Sequence, residues 1–240
     1  MKETIRKLFL NLGADVCGFA SVDRFADAPS GFGPQDIWTP CRTVIVFAVA
    51  FPKGLLEVKP GLIYEHFSSI SHSTVDKIAL SGAKDLEIRL GAACVPLPSD
   101  DPYDAWNAET LTSHGILSLK HAAVAAGLGA LGKNSLLLNR DFGNRLVPGA
   151  VLTDLSIPSD AQAEPLCIPG CRKCLDVCPV HALDGVSADQ SLCRPHTYGV
   201  TPSGFDTVLC NECRTVCPMC NGTKPRLPVE SAQCRPDSGR

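Results

Sequence analysis

Eight cysteines in the last third of the chain constrain its fold more than any other feature. Cys171-x2-Cys174-x3-Cys178-Pro179 and Cys210-x2-Cys213-x3-Cys217-Pro218 share one spacing and one trailing proline, with Cys167 ahead of the first run and Cys193 between the two. A repeat of this kind marks the two halves of a pseudo-symmetric unit. The spacing is that of thiolates around two [4Fe-4S] clusters: closely spaced cysteines wrap one cluster, and the cysteine before proline reaches across to the other. One cluster is then expected to take Cys167, Cys171, Cys174 and Cys217, and the other Cys178, Cys193, Cys210 and Cys213.

The pattern departs from the bacterial ferredoxin run C-x2-C-x2-C-x3-C-P in two places. Cys167 precedes Cys171 by three residues rather than two, and no cysteine stands at the equivalent place before Cys210. Cys193 is the expected replacement, with Cys220 and Cys234 as the alternatives. A zinc ribbon would also present two C-x2-C knuckles, but it gives no reason for the repeated x3-Cys-Pro ending. Disulfides are disfavoured because the N-terminus has no apolar signal core and no twin arginine, which points to the reducing cytoplasm. Cys17, Cys41 and Cys94 sit in or beside apolar runs and read as small core residues.

With 240 residues, 45% of them hydrophobic, the chain is long enough for one good core and a small cofactor-dependent domain. No apolar stretch reaches the roughly 18 to 20 residues that a membrane-spanning helix needs. The formal net charge of −3 falls to about −7 once two clusters are counted, which argues against a broad nucleic-acid footprint.

The expected fold class is α+β, an α/β domain over 1–156 followed by a two-cluster module over 157–222 and a poorly ordered tail over 223–240. Residues 2–12 carry helical periodicity, and 16–20 read as a strand. The β-branched run from Thr43 to Phe51 reads as a buried central strand, and 62–82 and 115–126 as helices. Residues 92–98 read as a short strand, Ser99 to Asn107 as a polar and aromatic loop near a pocket, and 147–155 as a final strand that Pro148 places at an edge. The stretch from Ile157 to Pro165 reads as a linker.

Gly127-Leu128-Gly129-Ala130-Leu131-Gly132-Lys133-Asn134-Ser135 matches G-x-G-x-x-G and nearly matches a phosphate loop. Both motifs need a strand before the glycines, whereas these follow an alanine-rich helix, and Asn134 stands where the magnesium-binding hydroxyl belongs. The expectation is that the glycines let backbone N–H groups approach a different cofactor or substrate.

The segment His121 to Leu155, with Ala125-Ala126-Gly127-Leu128-Gly129, Gly132-Lys133-Asn134-Ser135 and Val151-Leu152-Thr153-Asp154, resembles epoxyqueuosine reductase, as do the cysteines and the Thr43 to Phe51 strand. The resemblance implies a nitroreductase-like, cobalamin-binding domain joined to two [4Fe-4S] clusters, an architecture shared with reductive dehalogenases. It also implies that Gly127, Gly129, Gly132, Lys133 and Asn134 line the cobalamin, and that a ferredoxin or flavodoxin supplies electrons. Where that family carries its catalytic aspartate, this chain has Ser113-His114-Gly115, so Tyr64, His66, Tyr103 and His114 are the candidate proton donors. His121 shares a helix face with Leu117 and Val124 and reads as a core histidine. The chain stops about twenty residues after the second run, short of the family's tRNA-binding helical repeats; with the acidic charge this makes tRNA an unexpected substrate. It looks instead like a shorter relative found among double-cluster proteins of anaerobes. Three functions compete: a corrinoid-dependent reductase of a small electrophile, an electron-transfer protein or activator of a corrinoid protein, and a flavin-dependent reductase.

Overall fold

A computed structural model describes residues 1–59 and 61–223. In chain order the elements are α1 (Lys2–Asn11), β1 (Val16–Ser21), α2 (Pro34–Ile37), β2 (Thr43–Ala50), α3 (Leu62–Leu90), β3 (Cys94–Leu97), β4 (Ala105–Asn107), β5 (Thr112–His114), α4 (Leu119–Ala125), β6 (Ala130–Leu131), β7 (Leu137–Leu138) and β8 (Leu146–Thr153). The cysteine-rich part adds α5 (Lys173–Asp176), α6 (Gln190–Thr197), β9 (Tyr198–Val200), β10 (Asp206–Val208) and α7 (Glu212–Thr215).

A mixed α/β architecture results, built on an antiparallel sheet of order β1-β2-β8-β3. Successive side chains of a strand point to opposite faces, so a continuous apolar strand must be covered on both. Cys17, Phe19, Ile45, Phe47, Val147 and Val151 pack on one face against Ile5 and Phe9 of α1 and Val75, Ile78, Ala79 and Leu86 of α3. The Phe9 and Phe47 rings stack 5.0 Å apart. Ala20, Val44, Val46, Ala48, Ala150 and Leu152 fill the other face under Ala122, Ala123 and Ala125 of α4 and Ala126, which caps it. β2 is therefore central and buried, as its composition requires. Cys17 and Cys41 lie inside this core, and burial pushes their thiols up to about 12 and about 11.

Four expectations are corrected. β8 is not an edge strand, because β2 and β3 flank it; Pro148 is tolerated since β3 pairs only from Ala150 to Thr153, leaving the proline beyond its end. α3 runs eight residues past Gly82 to Leu90, where Gly91 caps it in the left-handed conformation at φ 63°. The Ile157 to Pro165 segment is fastened over its first half: the Asp160 carboxylate pairs with Lys2 at 2.7 Å and Arg6 at 3.0 Å and accepts the Phe19 N–H, while Ser159 accepts the Ser21 N–H. Helix α4 is also shorter than its periodicity suggests, with Ser118 at its N-cap. The tail expected over 223–240 lies outside the described residues from 224 onward. Among the described residues no helix is long and apolar enough to cross a membrane.

In the cysteine-rich part, α5 and α7 are single turns that begin at the same point of their two runs, one residue past the first cysteine's neighbour, and they pack together. Asp189 caps α6 by accepting the Ser191 N–H at 2.9 Å, and the β9–β10 hairpin leans on α3.

Candidate metal centres and an adjoining cavity

The pseudo-symmetry brings thiols of one run beside those of the other. Burial raises the Cys174 thiol, and repulsion from Cys167 and Cys171 adds to it. Cys217, from the second run, is raised by burial and by Cys220, Cys174 and Cys167. Burial likewise dominates at Cys210, with Cys193 and Cys178 as like-charged neighbours. Cys213 is pushed up to about 11 by burial, against the opposing pull of Arg214, with Cys193, Cys210 and Cys178 adding to it. Cys217 thus neighbours Cys174 and Cys167 of the first expected group, and Cys193 and Cys178 neighbour Cys210 and Cys213 of the second. Cys220 neighbours Cys217 and Arg145 rather than the second group, and Cys234 lies outside the described residues.

All four thiols of the first group line one small recess together with Gly132, Lys133, Asn134 and Leu138. Among the described residues no three His, Cys, Asp or Glu side chains converge closely enough for a single metal ion. A cluster of four irons spreads its ligands wider than one ion does, and an all-thiol donor set in groups of four fits it. Iron binding would displace the protons that burial favours on these thiols.

The first glycines of the segment serve close backbone packing. A Cβ on Gly127 would lie 2.2 Å from the Ala161 carbonyl oxygen, and one on Gly129 would lie 2.3 Å from that of Leu138. Their close neighbours are protein backbone, so the approach expected to serve a cofactor is occupied at both positions. Beyond them Lys133 Nζ donates to the Cys171 carbonyl and Asn134 Nδ2 to the Cys213 carbonyl, each at 2.8 Å. One tripeptide, Gly132-Lys133-Asn134, therefore touches both cysteine runs. Asn144 extends the clamp by donating to the Arg214 carbonyl at 2.9 Å.

Beside the sheet and α4 lies a cavity of about 780 Å³, within the range of organic-ligand pockets. Phe25, Phe32, Leu117, Val124 and Leu131 supply its apolar wall, and Arg24, Asp27, Ser113, His114, Ser118, His121 and Gln190 its polar groups. Ser113 is tied to α6: its N–H donates to Gln190 Oε1 at 2.9 Å and its carbonyl accepts from Gln190 Nε2 at 3.1 Å. Of the candidate proton donors only His114 faces this cavity. Tyr64 is buried in the core against Phe51, and His66 is exposed on α3. Tyr103 stacks on Trp106 and donates to Asp100; burial, followed by that hydrogen bond, pushes its hydroxyl up to about 12.

His121 corrects the sequence reading. It is not a core histidine: it lines the cavity, with Nδ1 2.6 Å from Ser118 Oγ. Burial, then Lys120, holds its imidazole below the ordinary 6.5. Residues 117 and 124 do bracket the helix face of His121, but Leu117 and Val124 are themselves cavity wall. Periodicity identifies the face and not what lies against it. Gln190 and Arg24 carried no sequence signal at all.

The mixed α/β fold is similar to those of epoxyqueuosine reductases and reductive dehalogenases. An epoxyqueuosine reductase from Lactococcus garvieae is 27% identical over 92% of this chain and 70% of its own length. The structure of an epoxyqueuosine reductase with a tRNA-Tyr stem loop superposes at a TM-score of 0.64, with 20% identity over 91% of this chain and 65% of that one. A reductive dehalogenase studied for B12-dependent dehalogenation superposes at 0.64, with 21% identity over 81% of this chain and 28% of that one. No protein-family model matches the chain. The chain spans about two thirds of the length of the first of the epoxyqueuosine reductases it matches, 65% of a Bacillus cereus relative for example. These relatives are reductases, and a redox protein of reductase type is the functional class the similarity supports.

Proposed function

We propose that this chain is a corrinoid-dependent reductase in which two [4Fe-4S] clusters feed electrons toward the cavity beside α4. Residues 1–156 would form the substrate and cofactor domain, and 157–222 the electron-transfer module. The observation that carries the reading is the joint placement of a large cavity and two four-thiol groups, tied together through Ser113 and Gln190 on one side and Gly132-Lys133-Asn134 on the other.

A bound corrinoid would supply a strongly reducing metal centre. The protein's part is to hold the substrate between Phe25, Phe32 and Leu131, keep water from it, and return a proton to the carbon that is reduced. His114 and His121 both line the cavity and are the candidate donors of that proton. Ser118 Oγ fixes the orientation of the His121 ring. A ferredoxin or flavodoxin would supply the electrons, and the substrate would be a small electrophile such as an epoxide or organic halide.

The expectation against tRNA rested on net acidity and chain length. It is weakened by similarity to an enzyme whose structure holds a tRNA stem loop, so that stem loop belongs among the substrates tested. Protein reconstituted anaerobically and incubated with cob(II)alamin should retain one cobalt per chain after gel filtration, and should turn over an epoxide, an aryl bromide or the stem loop. His114→Ala should keep the cobalt and lose most of the turnover. Full iron with no retained cobalt would overturn the corrinoid reading, and flavin retention would then be measured.

A further inference from the structure

Arg24 sits in the 3-10 turn Val22–Phe25, which packs on α4, and its Nη1 donates to the Ala125 carbonyl at 2.6 Å. Arg24, Phe25, His121 and Ala125 all line the cavity beside α4, so this bond fixes the guanidinium at the cavity wall. His121 stands four residues before Ala125 on the same face of the helix, about 6 Å away along its axis. Among the described residues no carboxylate forms an ion pair with Arg24. It is the one lysine or arginine on that wall, and Asp27, the one carboxylate there, is exposed to water.

Basic side chains commonly cap the last carbonyls of a helix, and the bond to Ala125 alone would be such a cap. It engages Nη1 and leaves the Nε and Nη2 edge of the planar fork for another acceptor. That edge matches a carboxylate through two parallel N–H···O bonds. Pinning the guanidinium at the wall also lowers the side-chain entropy lost when an anion binds. Phe25, Phe32 and Leu131 surround the site with apolar surface, where a charge-assisted hydrogen bond is stronger than in water. One cation on a wall that also carries Asp27 balances a single negative charge, which favours a carboxylate over a phosphate dianion.

Resting on the reading of this cavity as the substrate site, we propose that Arg24 is a specificity-determining residue that selects a small organic acid. Nε and Nη2 hold the carboxylate, the apolar part of the molecule rests against Phe25 and Phe32, and the electrophilic carbon lies about one helical turn away, beside His121. The substrate class narrows from any small electrophile to one that carries a carboxylate.

The test is anaerobic calorimetric titration of the reconstituted holoprotein with 4-bromobenzoate and with 4-bromobenzamide, its neutral counterpart, retained cobalt being measured in parallel. The wild type should bind the acid about 10- to 100-fold more tightly than the amide, the worth of a charge-assisted hydrogen-bonded pair. Arg24→Gln should lose most of that preference by weakening the acid alone, with amide affinity and retained cobalt unchanged. Arg24→Lys, which keeps the charge without the fork, should fall between the two. A wild type that binds neither compound or both equally, or an Arg24→Gln variant that weakens both equally, would overturn the inference. Cobalt lost from Arg24→Gln would also overturn it, by assigning the residue to the cofactor. The wild-type comparison decides the matter should Arg24→Gln fail to fold. Wild-type protein that prefers the acid yet retains no cobalt would instead overturn the corrinoid reading and leave this inference standing.

Discussion

The four-stranded sheet and the cysteine-rich module are held together by different means. The sheet buries unbroken apolar runs on both faces; Phe9, Phe19, Phe47, Val75 and Leu152 are essentially inaccessible to solvent. The module buries little beyond Cys174, Cys178, Ala182, Thr207, Val208 and Asn211, leaves Tyr198, Val200, Phe205 and Leu209 exposed, and has single-turn helices at both cysteine runs. Hydrophobic burial can sustain the first region, whereas the second has little core, is tied by side-chain tethers to its backbone, and would gain the rest of its stability from the proposed clusters. The contrast shows where a sequence can spend residues on chemistry: only where something other than apolar packing fixes the chain.

Removing the iron should have the largest effect. Chelation, or Cys174→Ser, is expected to strip amide-exchange protection from residues 166–223 while β1, β2 and β8 keep theirs; simultaneous loss in both regions would break the contrast. Phe47→Ala should do the reverse. Truncating a fully buried ring stacked on Phe9 costs about 3–5 kcal/mol in chemical denaturation of the sheet, with iron content held at the wild-type value. A smaller effect is expected from Asn134→Ala, which removes the hydrogen bond to the Cys213 carbonyl at a cost of about 1–3 kcal/mol, read as faster iron release with the sheet's denaturation midpoint nearly unchanged. Least of all is the titration of His121. Burial keeps its imidazole below 6.5, so the unfolded chain binds a proton more readily, and this contribution to stability is present above 6.5 and declines as pH falls through it. Nuclear magnetic resonance should place its midpoint below 6.5; a midpoint above that value would show that the ring meets an anion rather than a partly buried wall.

What the sequence disclosed follows the same division. Thr43 to Ala50 could be read as a central strand because two-sided burial needs an uninterrupted apolar run. The two runs of cysteines are legible as one repeated unit because their spacing and trailing proline are local features of the sequence. Positions whose meaning depends on a distant partner were misread. The helix is expected over 62–82, yet a Cβ on Gly82 would lie 2.5 Å from the Phe9 ring, so the glycine admits α1 and the helix continues. Gly127 and Gly129 suggest an approach to a cofactor, yet their neighbours are the carbonyls of Ala161 and Leu138. The β4–β5 hairpin escaped notice because its residues are polar and exposed, with an order that comes from Gln190 and Arg194 across the module boundary.

Iron per chain, measured after anaerobic reconstitution in the wild type and in Cys193→Ser, tests the two-group account most directly. The account predicts about eight irons in the wild type and about four in the variant, with a single cluster signal remaining. About four irons in the wild type, or about eight retained in Cys193→Ser, would contradict it.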